Sequence, residues 1–227
     1  MRVALQRRQG TCCIDVMFQS DEKGITALFG PSGAGKSSII NMVAGLLTPD
    51  GGSIFMRGRC LFDSANGVNL PPEKRKVGYV FQEGLLFPHV SVRGNLLYGR
   101  RRNQSGDDTL AFDQVVTLLG IQDLLPRKPQ TLSGGEKQRV AFGRAVLSNP
   151  DILLMDEPLA SLDDARKEEM LPFIKDLNTR FSIPILYVSH SLEELLALTN
   201  NVIRLANGKI VEYVPQPQPA ARSGQIP

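Results

Sequence analysis

The residues with the clearest chemical potential form a glycine-rich segment at positions 30–37. The segment reads Gly-Pro-Ser-Gly-Ala-Gly-Lys-Ser and fits the pattern G-x-x-x-x-G-K-S/T. Its glycines allow backbone N–H groups to turn towards phosphate oxygens, and the helix N-terminus that follows adds partial positive charge. Lys36 brings a full charge to the β- and γ-phosphates, and the Ser37 hydroxyl is a suitable Mg²⁺ ligand. The segment therefore predicts a nucleotide phosphate site, with an ordinary glycine-rich turn as the alternative.

Two adjacent acids follow an apolar run at positions 152–155, which is typical of a central parallel strand. An acid at the carboxyl end of such a strand lies near the phosphate crevice of an α/β sheet. Asp156 is placed to hold Mg²⁺ through water, and Glu157 is placed to orient or deprotonate an attacking water. The alternative is an acidic pair that only caps the segment after the strand.

Two further polar residues stand at the ends of predicted core strands. Gln82 ends the strand predicted at 77–81, and His190 follows the one predicted at 185–188. The carboxyl ends of parallel strands meet at one edge of a sheet, so we expect both residues near Asp156. A lone histidine is more often structural, but this position favours a contact between His190 and the γ-phosphate.

A second helix start has the composition of an anion site. Ser133, Gly134 and Gly135 precede a helix predicted through 137–147. Small residues at a helix N-terminus leave backbone N–H groups open to an anion. A plain helix cap is an equally good interpretation of this segment alone, because serine is among the preferred N-cap residues.

The elements that must position these residues are those of an α/β protein. An apolar strand at 25–29 leads into the glycine segment, and a helix is predicted from Lys36 to Leu46. The N-terminus reads as two strands, at 3–5 and 12–18, joined by a polar turn at 6–10. From about 83 to 131 helical patterns dominate, with an amphipathic helix over 108–119, which indicates an inserted helical lobe. Pro172 is expected to kink or divide the helix that follows Asp163.

Composition excludes several functional classes. The 227 residues suffice for one large domain or for a domain with an inserted lobe. The net charge of +3 is too small to favour a nucleic-acid partner. No stretch approaches the ~18 apolar residues of a membrane span. The three cysteines are an odd number without metal-ligand spacing, which argues against a disulfide framework.

Together these motifs resemble the nucleotide-binding subunits of ABC transporters over roughly residues 1–214. The most specific element is Leu-Ser-Gly-Gly at 132–135, in order between Gln82 and Asp156, and Ser-Leu-Asp at 161–163 also matches. The resemblance implies a P-loop ATPase fold with an N-terminal antiparallel β subdomain. Its RecA-like core would span about 1–82 and 132–214, and an α-helical subdomain about 83–131. The Pro-rich segment 215–227 would be a linker or tail.

The resemblance also implies an ATP hydrolase with ATP and Mg²⁺ as ligands. Glu157, His190 and Lys36 would be catalytic, and Mg²⁺ would be held by Ser37, Gln82 and Asp156. The nucleotide would be bound by the phosphate loop at 30–38, by Gln82, by the signature segment (the Leu-Ser-Gly-Gly at 132–135) and by the loop that ends at Asp163. These nucleotide-binding residues are Gly30, Pro31, Ser32, Gly33, Ala34, Gly35, Lys36, Ser37, Ser38, Gln82, Ser133, Gly134, Gly135 and Asp163.

Members of this family act as head-to-tail homodimers with two ATP molecules sandwiched at the interface. Each site would join the phosphate loop of one subunit to residues 133–135 of the other. The implied partners are membrane permease subunits, contacted by the lobe around 85–98, and indirectly a periplasmic or extracellular solute-binding protein. The implied location is peripheral, at the cytoplasmic face of the cell (inner) membrane, and no nucleic acid is implied.

Within the family, residues 72–82, 86–89 and 92–99 most resemble importer ATPases for oxyanions, molybdate in particular. Other importer solutes (sulfate, tungstate, polyamine, sugar or iron) stay open as alternatives, as does a soluble non-transport ABC ATPase. No aromatic residue precedes Phe18, and Arg7 and Arg8 stand where many members stack adenine. Glu136 replaces the commoner glutamine after the signature. Molybdate importer ATPases usually carry a C-terminal regulatory β-domain, which we expect either to be absent here or to have been cut off.

Overall fold

The computed structural model describes residues 1–10, 12–20, 22–101 and 112–214. Within these ranges the chain forms eleven strands and six α-helices. The strands are β1 (Arg2–Gln9), β2 (Cys12–Gln19), β3 (Ile25–Phe29), β4 (Gly51–Met56), β5 (Arg59–Asp63), β6 (Val68–Asn69), β7 (Val77–Val80), β8 (Ile152–Asp156), β9 (Ile185–Ser189), β10 (Val202–Ala206) and β11 (Lys209–Val214). The α-helices are α1 (Lys36–Ala44), α2 (Val92–Arg101), α3 (Phe112–Leu118), α4 (Gly134–Leu147), α5 (Asp164–Phe181) and α6 (Leu192–Leu198).

The strands join into one sheet with the order β6-β5-β4-β1-β2-β11-β10-β3-β9-β8-β7. The five strands from β10 to β7 are parallel, whereas β6, β5, β4, β1 and β2 pair antiparallel. In the parallel part, Phe29 is in register with Ser189, and Asp156 is in register with Val188. The residues that follow β3, β8 and β9 therefore lie at one edge of the sheet, and the predicted α/β class is confirmed.

Central strands are buried on both faces, as expected where helices cover a parallel sheet. Alternate side chains of β8 belong to different cores: Leu153 and Met155 to one, Ile152 and Leu154 to the other. The first core contains residues of α2, α3, α4 and α5, and the second contains much of α1. Burial of each such side chain contributes about 1.5–3 kcal/mol to the free energy of folding. The two cores therefore hold the strands, and with them the sheet edge that carries the polar residues, in place.

The described residues between 83 and 131 form helices α2 and α3 and two short 3₁₀ turns, with no strand among them. Helix α2 packs closely on α4 at Gly143. A Cβ atom at this position would lie 2.8 Å from Leu96 Cδ2 and 3.0 Å from Leu119 Cδ1. The absence of a side chain therefore allows the two helices to approach. The boundaries of the helical subdomain stay a prediction.

Three expectations about local structure were wrong or fall outside the described part. The polar turn at 6–10 does not exist as such, because β1 continues to Gln9, paired with β2 through Arg7 and Ile14. Helix α5 is not divided at Pro172, because the helix continues from Asp164 to Phe181 with this exposed proline inside it, and the predicted kink stays a prediction. Helix α3 begins at Phe112, and positions 108–111 of its predicted range lie outside the described residues, as does the Pro-rich segment 215–227.

Candidate active site

The glycine-rich segment forms a loop between the end of β3 at Phe29 and the start of α1 at Lys36. Gly35 is the N-cap residue of α1 and has φ 97°, a left-handed conformation that glycine adopts without steric cost. A Cβ atom at Gly30 would lie 2.3 Å from the backbone oxygen of Leu205 on β10, so a side chain does not fit there. The loop is therefore positioned by the sheet on one side and by α1 on the other.

Lys36 is held inside this loop. Its Nζ atom donates to the carbonyl oxygens of Gly30 at 2.8 Å and Pro31 at 3.0 Å, and the residue is only 5% exposed. The same Nζ atom lies 3.9 Å from Oε1 of Glu157. The ammonium group is thus fixed at the phosphate loop.

An open cavity of about 380 Å³ lies beside the loop. Its lining includes Ser32, Gly35 and Ser37 from the loop and the start of α1, Ile14 from β2, and Glu157 from the end of β8. Backbone N–H groups at a helix N-terminus and a buried lysine are favourable to phosphate groups. The cavity therefore has the location and the charge that a bound polyphosphate requires.

Asp156 and Ser37 form the oxygen-rich side of this site. The Ser37 hydroxyl donates to Oδ1 of Asp156 at 3.0 Å. Burial raises the pKa of Asp156, and the charge of Glu157 adds to this rise, against opposing effects of the Ser37 hydrogen bond and Lys36. A partly buried carboxylate that is not fully compensated, next to a hydroxyl, fits the oxygen preference of Mg²⁺.

The described residues contain no cluster of three or more His, Cys, Asp or Glu side chains that could hold a metal ion. Mg²⁺ commonly keeps waters and takes one or two protein ligands together with substrate phosphates. The pair formed by Ser37 and Asp156 suits Mg²⁺ that binds together with a nucleotide.

Glu157 connects the phosphate loop to His190. Its Oε2 atom lies 3.1 Å from Nδ1 of His190, and its backbone N–H donates to the carbonyl of Val188 at 2.9 Å. Glu157 has φ 46°, a left-handed conformation that costs roughly 1–2 kcal/mol for a residue with a side chain. Strained backbone of this kind clusters at functional sites. The carboxylate is thus oriented at the cavity, where it can accept a proton from water.

Tyr79 is a site residue that sequence reasoning assigned only to a strand. Its Oη atom lies 2.8 Å from Oδ1 of Asn41 and 3.4 Å from Oδ2 of Asp156. Burial, followed by the charge of Asp156, raises the pKa of Tyr79, so the phenol remains a hydrogen-bond donor. The signal in the sequence was Asn41, a polar residue one helical turn after Ser37 and therefore on the same face of α1.

The signature segment lies apart from the cavity lining. Ser133 is the exposed N-cap of α4, where its hydroxyl accepts from the Glu136 N–H at 3.3 Å and its own N–H donates to Oε2 of Glu136 at 2.7 Å. Cβ atoms at Gly134 and Gly135 would meet side-chain atoms of Leu162 and Arg166 at 3.7 and 3.8 Å. In the single chain the segment thus forms a capping box with Ser133 and Gly134 exposed, and its role as an anion site stays a prediction.

Two more predicted residues also stand outside the cavity lining. Asp163 is the exposed N-cap of α5, and its carboxylate accepts from the Arg166 N–H at 3.0 Å. Gln82 is exposed, two residues after β7 ends at Val80. The structure thus brings Lys36, Ser37, Asp156, Glu157 and His190 into contact, and Gln82 follows the end of β7, which pairs with the strand that carries Asp156. Residues 133–135 and Asp163 stand at the exposed starts of α4 and α5.

Arg7, which we considered as a platform for adenine, is engaged elsewhere. Its guanidinium donates to the carbonyl of Thr48 and lies 3.7 Å from Oδ1 of Asp50, in the turn between α1 and β4. The backbone N–H of Arg8 donates to the other carboxylate oxygen of Asp50 at 2.7 Å. In this arrangement the Arg7 side chain stabilises the turn after α1.

No helix within the described ranges combines the length and hydrophobicity that a bilayer-spanning segment needs.

The family model described as "ABC transporter" matches residues 13–160. A protein named "Molybdenum import ATP-binding protein ModC" from Paramagnetospirillum magneticum is 58% identical over 211 residues, which is 93% of this chain and 58% of that protein. Its namesakes from Rhodospirillum rubrum and Vibrio cholerae are 56% and 53% identical over 95% and 93% of this chain. The chain spans 57–58% of the length of these three curated relatives.

Two solved structures support the same fold. One is a dimeric post-hydrolysis state of the ATP-binding cassette MJ0796 bound to ADP and Pi, with a TM-score of 0.75, 25% identity, and coverage of 94% of this chain and 97% of that one. The other is cbiO1 from Clostridium perfringens, part of the ABC transporter complex cbiONQ, with a TM-score of 0.81 and 24% identity. This second match covers 94% of this chain and 87% of the cbiO1 chain. At 24% identity it supports the fold alone.

Proposed function

Because this chain belongs to the ABC transporter family, we propose that it is the ATP-hydrolysing subunit of an ABC import system. The observation that carries this proposal is the meeting of Lys36, Glu157 and His190 at one phosphate loop, with Ser37 bonded to Asp156. A cassette that only binds ATP would not need a carboxylate held between a lysine and a histidine. Hydrolysis is therefore favoured over binding without turnover.

The proposed roles follow from these positions. Lys36 and residues 30–38 bind the β- and γ-phosphates, and Ser37, Asp156 and Gln82 hold Mg²⁺, which neutralises phosphate charge when it is bound. Glu157 accepts a proton from the water that attacks the γ-phosphorus, and the bond to the bridging oxygen breaks to give ADP and phosphate. His190 donates from Nδ1 to keep the Glu157 carboxylate in place and contacts the γ-phosphate.

A second proposal concerns the exposed signature segment. Residues 133–135 start a helix but do not line the cavity of their own chain, and Ser133 is exposed. We infer that this N-terminus completes the phosphate site of a second copy in a head-to-tail homodimer, to which Asp163 also contributes. Closure then depends on the γ-phosphate, and its removal by hydrolysis opens the dimer. Dimer opening and closing would drive permease subunits at the cytoplasmic face of the membrane.

We propose molybdate as the transported oxyanion, delivered to the permease by a solute-binding protein. The support is the identity of 52–58% with proteins named for molybdenum import. The test is ATPase activity of the transporter reconstituted from this chain, its permease and candidate binding proteins. Stimulation by molybdate is expected, with the sulfate- and sugar-loaded systems giving only the unstimulated rate. Stimulation by another solute and none by molybdate would contradict the assignment.

A further inference from the structure

Tyr79 reaches from an edge strand to two elements of the candidate site. It lies on β7, which pairs with β8 in parallel, and its ring stacks on Phe81 with centroids 4.1 Å apart. From there its Oη atom is 2.8 Å from the Asn41 side chain on α1 and 3.4 Å from Oδ2 of Asp156 at the end of β8. One hydroxyl thus lies between the helix that carries Ser37 and the strand that carries Asp156.

The number of protons decides how these groups bond. A phenol has one proton to donate, and both the Asn41 Oδ1 atom and the Asp156 carboxylate only accept. Turning the Asn41 amide by 180° resolves the conflict, because the oxygen and nitrogen of an amide are assigned from the hydrogen-bond network. Asn41 Nδ2 then donates to Tyr79 Oη, and the phenol proton is free for Oδ2 of Asp156.

The Asp156 carboxylate is held by different groups on its two oxygens. Oδ1 accepts from the Ser37 hydroxyl at 3.0 Å, whereas Oδ2 faces Tyr79. An ionised carboxylate held at one oxygen can still turn its plane about the Cβ–Cγ bond, and a donor at the second oxygen opposes that rotation. Outer hydrogen bonds of this kind orient ligating carboxylates and raise metal affinity.

We propose that Tyr79 is a positioning residue that, supported by Asn41, fixes the orientation of the Asp156 carboxylate beside Ser37, so that these two residues would be ready to hold Mg²⁺ when it binds with a nucleotide. This inference rests on the proposed ATP- and Mg²⁺-dependent function. A purely structural role for Tyr79 would rest on its ring, which stacks on Phe81, and on the hydrogen bond of its hydroxyl to Asn41. Loss of such a role would lower nucleotide affinity equally with and without Mg²⁺, whereas loss of the orienting role would change only the Mg²⁺ requirement.

The test measures nucleotide binding rather than turnover. Binding of a fluorescent, non-hydrolysable ATP analogue is titrated with Mg²⁺ in wild type and in Tyr79→Phe, and is repeated with excess EDTA. We expect Tyr79→Phe to need about tenfold more Mg²⁺ for half-maximal binding, at the low end of effects for outer ligand-orienting residues. Its metal-free affinity should be unchanged. Tyr98→Phe is the matched control, because Tyr98 lies on α2, where its ring contacts that of Phe87 edge-on, and the variant should behave as wild type.

A second variant checks the amide that supports the phenol. Asn41→Leu removes the amide that is hydrogen-bonded to Tyr79 Oη but leaves the phenol in place, so a smaller increase in the Mg²⁺ requirement is expected. An unchanged Mg²⁺ requirement in Tyr79→Phe, or an equal loss of metal-free affinity, would overturn the role of Tyr79 alone. A wild-type protein whose nucleotide binding does not depend on Mg²⁺ would overturn the proposed function as well.

Discussion

Nδ1 of His190 lies 3.1 Å from Oε2 of Glu157, although the two residues are 33 positions apart in the chain. The contact exists because β8 and β9 are parallel neighbours that end at the same edge of the sheet. Lys36 Nζ approaches the other carboxylate oxygen of Glu157 at 3.9 Å. Glu157 is thus the point at which the phosphate loop and the histidine meet.

Replacing this carboxylate by an amide tests its role as a base. Glu157→Gln keeps the shape of the side chain but has no oxygen able to take a proton from water. We expect ATP turnover to fall by about 10²–10⁴-fold, the usual contribution of a general base, while ATP binding persists. Phosphate release and nucleotide binding are measured side by side. Glu193→Gln, an exposed change at the start of α6, is the control, and wild-type turnover in Glu157→Gln would remove Glu157 from this role.

Lys36→Ala is expected to abolish tight nucleotide binding. The change removes a buried positive charge from the loop and also the two hydrogen bonds to the carbonyls of Gly30 and Pro31. Equilibrium binding of labelled ATP measures the loss, and Lys175→Ala, an exposed position on α5, is the matched control. Unchanged ATP affinity in Lys36→Ala would count against the phosphate-loop assignment.

Arg75 is fully buried and stabilises the end of α1. Its Nη1 atom donates to the carbonyl oxygens of Met42 and Val43 at 2.7 and 3.0 Å, and its Nε atom donates to that of Leu70 at 2.7 Å. Helix C-terminal carbonyls lack partners within the helix, and a cation is favourable there.

Arg75→Leu removes these three hydrogen bonds, and of the three carbonyls that of Met42 keeps a donor in the Gly45 N–H at 3.2 Å. The free energy of unfolding should therefore fall by about 1–3 kcal/mol, as for other buried polar groups that lose their partners. Arg75→Lys should have an intermediate effect, because an ammonium group reaches fewer carbonyls than a guanidinium. Urea unfolding measures both, with the exposed Arg59→Leu on β5 as control. Equal stability of Arg75→Leu and the control would show that these hydrogen bonds contribute little.

Glu136 gives a prediction about pH. The backbone N–H of Ser133 lowers the pKa of Glu136 below its ordinary value of 4.5, since it stabilises the charged carboxylate. A lowered pKa in the folded state means that the unfolded state binds the proton more readily. The stabilisation is therefore present above pH 4.5 and is lost as the pH falls through the lower, folded-state pKa.

Glu136→Gln should consequently reduce the melting temperature near neutral pH and have less effect at acidic pH. The loss at neutral pH should be modest, about 1 kcal/mol or less, because the capping box is at the surface. Thermal unfolding of both proteins across the acidic range measures this difference. A constant difference between wild type and Glu136→Gln at every pH would contradict the proposed role of the charged carboxylate.

The sequence was most informative where function depends on local pattern. The phosphate loop, the acids after β8 and His190 could be placed because each follows a recognisable core strand, and a parallel sheet brings such ends together. The bond from Tyr79 to Asp156 spans 77 positions and depends on β7 lying next to β8, an order that no local pattern contains. The extension of β1 to Gln9 could not be predicted for a similar reason. The polar residue Arg7 lies within this strand, where its guanidinium forms an ion pair with Asp50, which is distant in sequence.

Other parts of the site could not be predicted from one chain in isolation. Residues 133–135 read equally well as a helix cap and as an anion site, and in the single chain they form a cap. What would distinguish the two is a second copy of the protein with a nucleotide at its phosphate loop. The strand pattern predicts which residues share an edge, whereas contacts between copies leave no periodicity in the sequence.

The central claim is that two copies close on ATP by placing the Ser133 helix start of one against the phosphate loop of the other. It is tested most directly by light scattering of Glu157→Gln with ATP and Mg²⁺, alone and combined with Ser133→Arg. We expect Glu157→Gln to shift with ATP to twice the 24.9 kDa mass of the chain, and the double variant to bind ATP but remain at the single mass. A double variant that dimerises with ATP as readily as Glu157→Gln would contradict the claim.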